Sequence, residues 1–373
     1  MKILHLLYES QGDYFGIGGV GVRAYEIYRH LKDRHDITLL CKKYPGAADG
    51  YKDGLRHLFA GTESRSLAIT LLSYAYHAAR FVKKKGGEYD VIIEEFSPAI
   101  PTFLHAVAGK PAVLQVQGYT GTLYFRKYNP LYASVLSLME QLRPACYRNF
   151  IFISQETAGK FRKNPKSRIA IIANGVSPEL LGVPTFEGDY VLYFGRIDIY
   201  GKGLDLLLAA YRDFSQWLPD IGLVIAGDGR DMEKFKASVM TLPGEVRRKI
   251  DFTGWVSGDR KTEVLSKAAF AVFPSRHEVQ PIAVLEAMAC GKPVVVSDIS
   301  GFSFVKKNGA GKTFKSGDAS SLAQCMKELE ESKDRTEIGL RGRESAKDMT
   351  WDKIAYRFEK FLIDTANGDK SRR

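Results

Sequence analysis

The stretch from Pro274 to Val296, PSRHEVQPIAVLEAMACGKPVVV, constrains the fold more than any other part of this chain, because it sets a strand end, a loop, a helix and the next strand in order. Phe270 to Phe273 is a short apolar run with the pattern of a buried strand, and Pro274-Ser275 stops it. From Ile282 onward, Ile282, Leu285 and Ala289 describe a short amphipathic helix, closed by the breaker Gly291-Lys292-Pro293. Val294 to Val296 then reads as a buried parallel strand. Such an alternation belongs to an α/β architecture.

The same stretch carries chemistry. Pro281 stands where a first helical residue is expected, and the free N–H groups behind it, those of Ile282 and Ala283, point back into the loop as an anion site. Glu278 precedes the helix and Glu286 lies one turn past Ile282 on roughly the same face. Two carboxylates flanking an anion site match a ligand with sugar hydroxyls, a diphosphate and ribose hydroxyls, which is a nucleotide sugar. On spacing alone, two solvated glutamates remain the alternative.

Set inside PS…E…LEAMACGKPVV, Glu278 and Glu286 resemble the E-x7-E signature of retaining GT-B glycosyltransferases of glycosyltransferase family 4 (glycosyl transferases group 1), the large family that includes sucrose synthase and mannosyltransferases. The resemblance runs over essentially the whole chain and is strongest from Tyr190 to Val296. It implies two Rossmann-like domains facing across a cleft: residues 1–183 on the acceptor side, residues 184–349 holding the donor, and residues 350–373 as a helix returning to the first domain. It implies a hexosyltransferase that moves a sugar from a UDP- or GDP-sugar to a hydroxyl of a glycan or lipid-linked acceptor, with retention.

Other positions take their roles from the same resemblance. Tyr190 to Phe194 is the first strand of the second domain, and Gly195-Arg196 ends it; Arg196 and Lys202 match the family's paired cations on the donor diphosphate. Charge accumulates on the departing phosphate as the glycosidic bond breaks, so the reaction needs them. With Glu278 they form the expected catalytic set. No D-x-D occurs in the chain, so the two cations stand in for a metal; neither a metal nor a cofactor is expected beyond the nucleotide sugar. Gly254-Trp255-Val256 falls where the family's backbone holds the nucleotide base, with Trp255 as a stacking partner or a buried core residue. Gln280 and Pro281 replace the family's usual aromatic residue and glycine beside the donor sugar. Gln117 stands where a histidine is usual; it keeps hydrogen bonding but cannot titrate.

Near the amino end, Lys2 to Tyr8 reads as a strand, Val20 to Leu31 as a helix and Ile37 to Cys41 as a second strand. Gly16, Gly18 and Gly21 satisfy G-x-G-x-x-G, which raises a dinucleotide-binding dehydrogenase. In that fold the glycines follow the strand at once and an acid about 20 residues on binds the ribose. Here seven residues intervene between Tyr8 and Gly16, and the second strand ends in Lys42-Lys43, which leaves only an NADP reading. Gly18 and Gly19 instead resemble the family's Gly-Gly loop, where the backbone approaches the donor diphosphate.

The 373 residues suffice for two domains, and 54 basic against 43 acidic residues give a net charge of +11, which calls for anionic partners. No nucleic-acid-binding signature accompanies that charge. Tyr124 to Tyr147 interleaves aromatic, aliphatic and basic residues, and reads either as a core helix or as a segment resting on an anionic membrane. Cys41, Cys146, Cys290 and Cys325 lack metal-ligand spacing and are expected to be reduced thiols. The opening KILHLLY is too short for a signal sequence, and no run of about 18 apolar residues occurs. The expected location is cytoplasmic, or peripheral on the cytosolic face of a membrane. A pyridoxal-phosphate phosphorylase, a sugar-nucleotide epimerase and a non-catalytic nucleotide-sugar-binding protein stand as rivals on the same architecture.

Overall fold

The computed structural model describes residues 1–10 and 18–370, so Gly16 lies outside the described residues. The chain forms two compact units, Met1–Asn174 with the segment from Trp351, and Gly175–Thr350. Val176, Leu180 and Val183 are core residues of the second unit beside Leu192 and Val294, so the chain enters that unit at Gly175 and not after the Pro- and Gly-containing stretch that follows Val183.

The first unit is built on an 8-stranded sheet of order β3-β4-β2-β1-β5-β6-β7-β8. Its strands are β1 (Lys2–Leu7), β2 (Asp36–Lys42), β3 (Gly50–Lys52), β4 (Leu55–Ala60), β5 (Val91–Glu95), β6 (Ala112–Val116), β7 (Asn149–Phe152) and β8 (Arg168–Ile171). All neighbours pair in parallel except β3 and β4. That hairpin turns on Asp53 (φ 52°) and Gly54 (φ 79°), the left-handed pair that an Asp-Gly turn supplies. The sequence reading passes over this signal. Between β5 and β6 the chain makes a single 3-10 turn, Leu104–Ala106, rather than a longer helix; Pro98 and Pro101 precede it and Phe103 takes φ 50°. The last helix, Trp351–Lys370, packs on this unit, with Phe358 edge-on to Tyr28 and Glu359 Oε1 2.6 Å from His35 Nε2.

The second unit holds a 6-stranded, all-parallel sheet of order β11-β10-β9-β12-β13-β14. The strands are β9 (Tyr190–Phe194), β10 (Gly222–Ala226), β11 (Ile250–Gly254), β12 (Phe270–Phe273), β13 (Val294–Ser297) and β14 (Gly311–Phe314). Apolar side chains cover both faces: Leu207, Tyr211 and Phe214 on one, Leu285, Met288 and Ala289 on the other. This explains the continuous apolar strands legible in the sequence. The strand order reverses between β9 and β12, where Val191 faces Phe270 and Leu192 faces Ala271. Loops at the carboxyl ends of such a pair splay apart and leave the crevice in which α/β sheets bind ligands.

Candidate active site

The two loops at that switch point carry the residues singled out from sequence. After β9, Gly195-Arg196 leaves the sheet, and the Tyr193 hydroxyl donates to the Arg196 carbonyl at 2.7 Å. Burial pushes the Tyr193 phenol well above its usual range, with Glu278 adding to the shift and Arg196 opposing it. The Arg196 side chain is exposed and forms no ion pair among the described residues. The loop then folds on Asp198, whose carboxylate accepts from Gly201 N at 2.9 Å and whose carbonyl accepts from Lys202 N at 3.0 Å. Gly203 follows at φ 68°, so close to the end of β12 that a Cβ there would lie 2.0 Å from the Pro274 carbonyl oxygen. Only glycine satisfies both the left-handed backbone and that approach.

Lys202 and Glu278, 76 positions apart in the chain, meet here: Nζ lies 2.5 Å from Glu278 Oε1, with both side chains mostly buried. Arg276, which the sequence reading does not single out, staples the two loops. Its N–H donates to the Gly201 carbonyl at 3.1 Å, and its guanidinium donates to Tyr200 O and to both Asp205 carboxylate oxygens, at 2.7 and 2.6 Å. Donating these hydrogen bonds to Asp205 raises the Arg276 pKa further. No spacing rule links positions 205 and 276, so nothing in the sequence marks this fork-to-fork pair. Gly301 presses on the same loop from the other side, where a Cβ would come within 2.2 Å of the Glu278 carbonyl oxygen.

The helix that follows runs Ile282–Ala289, and Pro281 is its N-cap (φ −72°, ψ 131°), one position earlier than the sequence reading had it. An extended ψ places a residue outside the helix, and proline has no side chain able to cap the turn. The amides of Ile282 and Ala283 therefore have no side-chain cap. Glu286 pairs with Lys261 of the Gly258–Ser266 helix at 2.7 Å, a second cation that the sequence reading missed. Gln280 Nε2 sits 3.9 Å from the Met349 sulfur, a weak acceptor. Trp255 is 66% exposed, which decides against the buried-core reading, whereas Val256 packs in the apolar core.

Gly18, Gly19 and Gln117 belong to the first unit, at its own switch point, where β1 lies between β2 and β5. Gly18 is the N-cap of the Gly19–Arg29 helix, and the N–H groups of Gly18 and Gly21 both donate to Glu9 Oε2 at 2.8 Å. A carboxylate of the protein thus occupies this helix start. Gln117 Nε2 donates to Glu95 Oε2 at 3.0 Å, which turns the Gln117 carbonyl away from Glu95. Glu95 is itself buried and receives Gln115 Nε2 at 2.5 Å, with His5 Nε2 at 3.3 Å.

Comparison with known proteins agrees with this fold. Residues 185–345 match the model for glycosyl transferases group 1, and residues 17–180 match that for glycosyltransferase family 4. An uncharacterized glycosyltransferase of Methanocaldococcus jannaschii is 29% identical over 344 residues, covering 90% of this chain and 92% of the relative. A UDP-Gal:alpha-D-GlcNAc-diphosphoundecaprenol alpha-1,3-galactosyltransferase of Escherichia coli is 25% identical over 314 residues, 79% of each chain. The solved sucrose-phosphate synthase of Thermosynechococcus elongatus superposes with a TM-score of 0.77 at 19% identity, covering 97% of this chain and 98% of that one. The two parallel-sheet α/β units have the GT-B fold, and the two family models together make the chain a glycosyltransferase. Within that class, the chain belongs to the family described by the group 1 and family 4 models together.

Proposed function

We propose that this protein transfers a hexose, with retention, from a nucleoside diphosphate sugar to a hydroxyl of a glycan or lipid-linked acceptor, and that its second unit holds the donor. The observation that carries the reading is the convergence of Arg196, the Lys202–Glu278 pair and the uncapped amides of Ile282 and Ala283 on two adjacent loops. As the bond from the sugar to the diphosphate breaks, the electron pair stays on the phosphate oxygen. Arg196 and Lys202 meet that charge from positions set before the reaction, which avoids reorganisation at the transition state. Glu278 holds the Lys202 ammonium and faces the sugar; Glu286, with Lys261, faces the ribose; Trp255 and the Val256 backbone flank the base. Gly195, Gln280 and Pro281 shape the sugar end. The reading is tested with a panel of UDP- and GDP-sugars, assayed for nucleoside diphosphate release with and without lipid-linked acceptors. Release that never depends on any acceptor would overturn it and favour an epimerase role, and no release at all would favour a binding role.

The first unit is proposed to rest on an anionic membrane surface. Leu131, Val135, Leu138 and Leu142 form an exposed stripe along the Pro130–Leu142 helix, with Ala133 and Leu136 turned inward and Arg126 and Lys127 exposed just before it. An apolar stripe beside cations suits an interfacial seat. No described helix is long and apolar enough to cross a membrane. Sedimentation with phosphatidylglycerol vesicles should decline with salt and fall several-fold in Leu138→Glu, by roughly 1 kcal/mol or more. Equal binding to neutral vesicles would count against the seat.

A further inference from the structure

We propose that the first unit carries a second anion pocket, at the edge of its sheet opposite the switch point, which takes a phosphate or diphosphate group. The cavity measures about 880 Å³ and opens at the amino ends of β6, β7 and β8. Lys110 stands before β6, Arg148 before β7, and Lys166 and Arg168 lead into β8, with His105 at the wall. Among the described residues, no aspartate or glutamate lines it. Among the described residues, none of the four cations is paired with a carboxylate, although 54 basic and 43 acidic residues leave acids enough to neutralise them.

Two observations separate a built pocket from a scatter of surface charge. Arg168 N donates to the Arg148 carbonyl at 2.7 Å, which ties the starts of β7 and β8, and Arg168 Nη1 donates to the Asp364 carbonyl at 2.6 Å. One arginine is therefore held by the final helix, which contributes Thr365 to the wall, while Lys110, Arg148 and Lys166 remain available. Concave walls lined by charge of one sign focus the field and raise the local anion concentration. Mutual repulsion of the four cations is relieved when an anion enters. The pocket is separate from Gln117: Lys110 precedes β6 and Gln117 follows it, so a strand of roughly 17 Å lies between them.

The exposed apolar helix Pro130–Leu142 runs into Cys146 at the pocket, so the phosphate could belong to a soluble molecule or to a lipid headgroup. Cys146 is exposed and lines the cavity, which makes it a local reporter. The full-length protein is alkylated with the neutral reagent iodoacetamide, and modification of Cys146 is timed by peptide mass spectrometry, with Cys325 of the second unit as internal control. Pyrophosphate at ten times its dissociation constant leaves about a tenth of the sites free, so Cys146 should react roughly tenfold more slowly while Cys325 does not change. Protection should persist in Arg196→Ala/Lys202→Ala and disappear in Lys110→Ala/Arg148→Ala/Lys166→Ala. Protection by phosphatidylglycerol vesicles but not by pyrophosphate would assign the pocket to a lipid headgroup. The proposal is overturned by absence of saturable protection from either probe in the wild type, or by equal protection in the triple variant.

Discussion

The two units share one architecture, a parallel sheet with a switch point at its centre, yet they fill that point with opposite charge. In the first, Glu9 receives the amides of Gly18 and Gly21, and Glu95 receives Gln115 and Gln117. In the second, Arg196 and Lys202 stand at the loop after β9, and the Ile282–Ala289 helix begins without a side-chain cap. A helix start already satisfied by a carboxylate repels a second anion, whereas one flanked by cations with open amides attracts it. The fold supplies two equivalent places for a ligand, and a few side chains decide which of them suits a diphosphate.

The sharpest way to break this contrast is to remove its cations. Arg196→Ala and Lys202→Ala should each lower turnover by roughly 10²-fold or more, as loss of a preorganised charge partner does. Lys202→Ala also leaves Glu278 without its ammonium, so its loss should be the greater of the two. Near-normal steady-state rates in both variants would sink the assignment.

Each unit also buries one lysine whose pKa desolvation draws down to about 8, Lys42 in the first and Lys292 in the second. Glu9 opposes the shift at Lys42, while Arg343 and Arg335 deepen it at Lys292. Between that value and the ordinary 10.5 the unfolded chain binds the extra proton, so stability rises with pH through this window, and the cost is present in full below about pH 8. Lys292→Met should therefore melt higher than wild type at pH 7 by roughly 2 kcal/mol, with the gap closing as pH approaches 10. A gap that widens with pH in thermal melts would contradict the burial argument.

A smaller effect is expected at Glu9. Glu9→Gln keeps an acceptor but removes the charge at the helix start, and should cost about 1 kcal/mol of stability. Its affinity for the nucleoside diphosphate, measured by calorimetry, should stay at the wild-type value. A clear gain in that affinity would mean that Glu9 competes with the donor, and the first unit would then share the diphosphate.

The smallest effect is expected at Pro281. As an N-cap without a capping side chain, it leaves the amides of Ile282 and Ala283 in place, so Pro281→Gly should change diphosphate affinity by no more than about threefold, roughly 0.7 kcal/mol. Gln280→Ala should instead reorder the preference among nucleotide sugars, because its amide offers both donor and acceptor. Tenfold losses of diphosphate affinity in both variants, with the sugar order unchanged, would show that the two residues do not divide the work this way.

Much of the second unit was legible because its signals are local. Apolar runs such as Phe270–Phe273 and Val294–Val296 mark strands covered on both faces, and the Glu278–Glu286 spacing follows from one helical turn pair beside a loop. The first unit was harder to read where proline and left-handed residues shorten elements, as at Leu104–Ala106. The Arg335–Ala346 helix gave no apolar stripe, because Gly339 rather than a large side chain meets the Gly291 carbonyl.

By itself the sequence determined the strand–helix–strand order from Phe270 to Val296, the two-unit α/β architecture and the family, since each rests on periodicity and motif spacing within a few tens of residues. Only the tertiary structure decided that Lys202 meets Glu278, that Lys261 meets Glu286, that Arg276 clamps Asp205 and Tyr200 O, and that Glu9 fills the Gly18 helix start. It also decided that Trp255 is exposed and that Lys110, Arg148, Lys166 and Arg168 share one cavity. Charge pairing depends on distance in space, and a parallel sheet brings together strand ends that its crossover helices keep far apart along the chain.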